Sequence, residues 1–114
     1  MKLHRTCLKI ALHYQFIGLI AIVFRGDMIL FAADNHYGTH AGQNLFESLR
    51  LHHEIHFHED DWRCLMEENL AEKYDLLMFH LIGGTCDVPT PGPLAEQQVK
   101  EYLQAGKPMF LLHG

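Results

Sequence analysis

The sequence predicts an α/β domain built on a parallel β-sheet covered by helices on both sides, and three observations carry that prediction. Two short runs, "MILFAA" (28–33) and "LLMFHLI" (76–82), are apolar almost throughout, as strands buried on both faces of a parallel sheet are. Between the strand-like runs lie segments whose apolar residues recur at helical spacing. Strands that alternate with helices pair in parallel through right-handed crossovers. With 114 residues the chain has room for one such domain.

The elements follow in chain order. Residues 1–27 do not read like the rest: basic residues precede a nine-residue apolar stretch, Phe16 to Phe24, before the polar break Arg25-Gly26-Asp27. That stretch is well short of the roughly 20 residues a membrane-spanning helix needs, and no small-x-small cleavage site follows it. Three readings stay open for it: an extension upstream of a natural start at Met28, a membrane-directing leader, or a strand packed on the domain. The domain itself is read from Met28 to Gly114.

Met28 to Ala33 is the first strand, and the polar loop "DNHYGTH" follows. Gly42, Leu45, Phe46 and Leu49 then recur at i, i+3, i+4 and i+7, one face of a helix, with Thr39 as the expected N-cap. In "HEIHFHE", His53 to Glu59, Ile55 and Phe57 point one way while Glu54, His56 and His58 point the other. Such alternation marks a strand with one wet face, at a sheet edge. "CLMEENLAEK" (64–73) reads as a short helix and "LLMFHLI" as the third strand, ended by Gly83-Gly84. The loop "DVPTPGP" leads into "LAEQQVKEYLQAG", with Ala95, Val99, Tyr102 and Leu103 as its apolar stripe, Pro93 in the first turn and Gly106 at the C-cap. "PMFLLHG" is the fourth strand.

Charge and cysteine content narrow the function. Lys2, Arg5, Lys9 and Arg25 against Asp27 leave residues 1–27 at +3, so residues 28–114 hold −8 of a chain whose formal net charge is −5. An acidic body of that kind argues against nucleic acid as a partner, which needs clustered Lys and Arg. Cys7, Cys64 and Cys86 are odd in number and have no CxxC spacing, so neither a disulfide framework nor a thiolate zinc site is indicated. A reducing, cytoplasmic compartment is expected, with export if residues 1–27 act as a signal.

In open parallel sheets ligands gather beyond the carboxyl ends of the strands. That rule selects Asp34, Asn35, His36 and His40 after the first strand, His80 with Gly83 and Gly84 at the end of the third, and His113 after the fourth. Each histidine taken singly is an ordinary polar loop or strand-end residue; together they come from separate segments that should converge. Three imidazoles with Asp34 suit zinc or another borderline divalent metal, although nothing in the spacing requires one. "HHEIHFHEDD" draws the eye more, but His56 and His58 sit about 7 Å apart on one strand face, and a solvated edge strand accounts for them. Gly83-Gly84 is neither a GxGxxG nor a Walker loop, so a tight turn near a pocket is expected. Trp62 reads equally as a buried anchor or a pocket wall.

"ILFAADNHYGTHAG", "ENLAEKYDLLMFH" and "PLAEQQVKEYLQAGKPMFLLHG", in that order and spacing, resemble the trehalose-utilisation (ThuA-like) family, over residues 28–114. The resemblance implies the flavodoxin-like, three-layer fold of class I glutamine amidotransferases, of which this chain would span the first half, truncated after the fourth strand. It implies a role in trehalose, disaccharide or other carbohydrate utilisation. It places His113 at the elbow where the amidotransferases carry a catalytic Cys. An imidazole there suits proton transfer, hydrogen bonding or metal ligation rather than acyl transfer, so glutamine hydrolysis is not expected. His113 would be the general acid or base, with sugar held by Asp34, Asn35, His36, His40 and His80 beside the Gly83-Gly84 turn. The rival expectation is a non-catalytic module that associates through an exposed, apolar fourth strand, with a second copy or another polypeptide; a gene fragment with no function of its own is the third.

Overall fold

The computed structural model describes residues 28–81 and 90–112. The readings made for residues 1–27, for Gly83 and Gly84, and for His113 lie outside the described residues.

Four strands form one parallel sheet in the order β2-β1-β3-β4: β1 (Met28–Ala33), β2 (Glu54–Glu59), β3 (Leu76–His80) and β4 (Met109–Leu112). The register sets Phe31 beside both Phe57 of β2 and Met78 of β3. Continuous apolar runs became the inner strands because both of their faces are covered. Ile29 to Ala33 and Leu76 to Met78 are at most 1% exposed. The alternating run became an edge, with Glu54 and His56 exposed. All-parallel pairing with intervening helices is the α/β, flavodoxin-like arrangement expected.

Right-handed crossovers then decide which face each helix covers. Helix α1 (Ala41–Leu49), between β1 and β2, packs on those two strands. Its face buries Gly42 and Leu49, while Phe46 stacks on Phe57 with centroids 4.9 Å apart. The connection from β2 to β3 passes behind the other face, as does α3 (Pro93–Gln104) between β3 and β4. There Leu30, Ala32, Leu65, Leu70, Leu77, Phe79, Ala95 and Tyr102 form one core cluster.

Two local expectations are corrected and one open reading is settled. The single helix over 64–73 is a 3-10 turn (Arg63–Leu65) and a one-turn helix, α2 (Leu70–Lys73), broken at Asn69 with φ 61°. A continuous helix would set Leu65 and Leu70 about 140° apart around its axis; the break, at a residue type that tolerates the left-handed region, lets both reach the core at 1% and 2% exposure. Trp62 enters the same cluster at 8%, so it is a buried anchor. In α3, Leu103 is 41% exposed and Gln98 is buried instead. With 100° per residue the inward stripe centres between Gln98, Ala95 and Tyr102, and Leu103 falls to its flank. The helix ends as read, with Pro93 in its first turn and Gly106 at φ 86° just past the Ala105 cap.

Candidate functional site at the carboxyl ends of β1 and β3

The chain leaves β1 for β2 on one side and returns to β3 on the other, so the strand order reverses between β1 and β3. Connections diverge there and leave a crevice above the strand ends. Asp34, directly after β1, is 1% exposed, and its N–H donates to the carbonyl of His80 at 3.1 Å. Backbone pairing thus continues one residue past β1 and brings the two strand ends together.

The loop after Asp34 is folded by its own polar groups. The Asn35 N–H donates to Oδ1 of Asp60 at 2.8 Å, and the Asn35 carbonyl accepts from the His40 N–H at 3.0 Å. Its side-chain Oδ1 accepts from Gly38 N–H at 3.3 Å, and Thr39 Oγ1 donates to the Asn35 carbonyl at 3.4 Å. Thr39 is therefore not the helix cap. That position is His40, which makes no capping bond with its side chain. His36, Tyr37 and His40 have φ of 52°, 58° and 52°, each a strained setting for a non-glycine residue, at roughly 1–3 kcal/mol. Hydrogen bonds to Asn35 and Asp60 hold that geometry, and it turns the His36 ring toward β3.

The His36 and His80 rings lie edge to face with centroids 6.1 Å apart. In each, Nδ1 is buried without a hydrogen-bond partner. A buried ring nitrogen left unpaired costs about 1–3 kcal/mol, so a polar group that reached either Nδ1 would offset that cost. His40 does not join them. Its Nδ1 lies 2.8 Å and 2.9 Å from the two carboxylate oxygens of Glu59, tying the start of α1 to the end of β2. Asn35 likewise shapes the loop, its backbone and side-chain oxygens taken by that loop. Of the residues selected from sequence, the structure brings together Asp34, His36 and His80.

Among the described residues no group of three or more His, Cys, Asp or Glu side chains is placed to hold a metal ion. Of the imidazoles considered for a metal, His40 has its Nδ1 held by Glu59 and His113 lies outside the described residues. The His-rich strand disperses too: His53 is buried, and His56 Nδ1 lies 3.0 Å from the Tyr74 hydroxyl. Glu59 and Asp60, which close the site's β2 side, were not selected from sequence. The same strand-end rule reaches them, but the segment reads from sequence as a solvated edge strand.

On the opposite face of β3 and β4, Phe79, Leu81, Pro91, Val99, Met109 and Leu111 help line an open apolar groove of about 460 Å³. Cys64 is buried, and burial pushes its thiol up to about 11. It is no nucleophile. Among the described residues no helix is long and apolar enough to cross a membrane. Compared with protein-family models, curated proteins and solved structures, the chain matches none.

Proposed function

We propose that this domain binds a small carbohydrate in the crevice between β1 and β3 and exchanges protons with it through histidine. The observation that carries the reading is the His36–His80 pair, one ring from the loop after β1 and one from the end of β3, with centroids 6.1 Å apart and buried, unpaired Nδ1 atoms. Imidazole titrates near neutrality and both donates and accepts, so it suits hydroxyl-rich ligands and general acid–base work. The strained loop at 36–40 supports the same reading, since such strain concentrates at ligand sites. The sugar class comes from the trehalose-utilisation resemblance, which also assigns the proton-transferring role to His113.

Histidine-selective NMR on the labelled chain tests it, with trehalose and other disaccharides as probes. The His36 and His80 signals should shift saturably, and His36→Ala and His80→Ala should each abolish the response. In a turnover assay His113→Ala should lose activity while ligand shifts at His36 and His80 persist. If no sugar in the panel moves either signal, the reading fails.

A second reading, self-association through β4, is favoured by one observation. Leu111 is 65% exposed on a strand that pairs only with β3 among the described residues. Its signature is a solution mass that rises with protein concentration and does not respond to sugar.

A further inference from the structure

Helix α2 packs against α3, and the two helices line a cleft of about 490 Å³. Leu70 and Ala71 of α2 give it an apolar wall. Gln98 and Glu101, three residues apart, lie on one face of α3, and both line the cleft, as does Glu72 of α2. Gln98 is the polar residue that entered the inward stripe of α3. It is only 9% exposed, yet its side-chain amide has no hydrogen-bond partner among the described residues. Buried polar side chains are normally paired, so this amide, with one acceptor oxygen and two donor hydrogens, marks a place for a ligand.

The charges around it select the ligand's chemistry. Glu101 Oε1 accepts from Gln97 Nε2 at 3.3 Å, a neutral partner that leaves the carboxylate charge uncompensated. Glu72 has no side-chain partner among the described residues, because the adjacent Lys73 is turned to Glu67 at 3.0 Å. No Lys or Arg lines the cleft among the described residues. An occupant therefore needs positive charge toward both helices, an N–H for the Gln98 carbonyl oxygen and an apolar stretch between. We propose that the cleft binds an aliphatic diamine or polyamine, with ammonium groups at Glu72 and Glu101, an N–H donated to Gln98 Oε1, and methylenes on Leu70 and Ala71. A bare divalent metal fits less well, since no third His, Cys, Asp or Glu joins the two carboxylates. The site is independent of the strand-end crevice.

The test is NMR titration of the isotope-labelled full chain with putrescine and spermidine at constant ionic strength, following the Gln98 side-chain amide and the Ala105 backbone amide. Both signals should shift saturably. Gln98→Leu, a side chain suited to a neighbour of Ala95 and Tyr102, should weaken binding about tenfold. Glu72→Gln, at an exposed position, reads the same site independently and should weaken it about threefold. Shifts that do not saturate, or an affinity unchanged in either variant, would overturn the proposal. So would magnesium producing the same shifts at the same concentration, which would reduce the effect to charge screening.

Discussion

His53 shows how one side chain makes this fold sensitive to acid. It is 7% exposed, and both ring nitrogens are buried without partners. Burial, and secondly the neighbouring His52, lowers its pKa from the ordinary value of 6.5. The sign follows directly: below 6.5 the unfolded chain takes up this proton while the folded chain resists it, so stability falls as pH falls toward the lowered value. Above 6.5 the group is neutral in both states and contributes no slope. Urea midpoints measured between about pH 7.5 and about pH 5.5 should therefore decline, and His53→Leu should flatten that decline. An equal slope in the variant would place the acid sensitivity elsewhere. Cys64 gives a second residue-scale expectation. With its thiol raised to about 11, it should resist alkylation at neutral pH until urea unfolds the chain, as read by peptide mass.

At the scale of elements, the seating of α1 on β1 depends on an absent methyl group. A Cβ on Gly42 would fall inside contact distance of the Ala33 Cβ, with the Phe31 and Phe57 rings behind it. Gly42→Ala should gain about 1 kcal/mol in helix propensity yet lose about 1–3 kcal/mol to overpacking, because the rings leave no slack. The expected outcome is net destabilisation in urea titration, with positive coupling to Ala33→Gly, which removes the opposing methyl. If the two changes were simply additive, the close approach would not be the cause. Periodicity placed Gly42 on the buried face correctly. That it must be glycine was not legible, since this depends on the distance between helix and strand. The same limit explains 64–73, where apolar residues were present but the break at Asn69 answers to tertiary packing of Trp62, Leu65 and Leu70. The buried runs at 28–33 and 76–80 were legible because a strand covered on both faces leaves no polar position to confuse its reading.

For the whole molecule, the strand-end rule selected candidate residues from sequence, and loop geometry decided which of the described ones meet. His36 and His80 meet because Asp34 extends the pairing of β1 with β3, while His40 is diverted by Glu59, a partner 19 residues away that no local pattern announces. The two edges of the sheet also differ in a way that bears on assembly. β2 presents Glu54, His56, His58 and Glu59 along its length, the charged and polar side chains that discourage strand addition. β4 is Met-Phe-Leu-Leu with no such guard, and Leu111 stands 65% exposed beside the apolar groove. Leu111→Lys adds one charge at that edge, and at so exposed a position it should alter folding stability by no more than about 0.5 kcal/mol. Sedimentation of the parent chain should give a mass that rises with concentration, whereas the lysine variant should remain monomeric across the same range. A parent chain that stays monomeric throughout would remove self-association through β4.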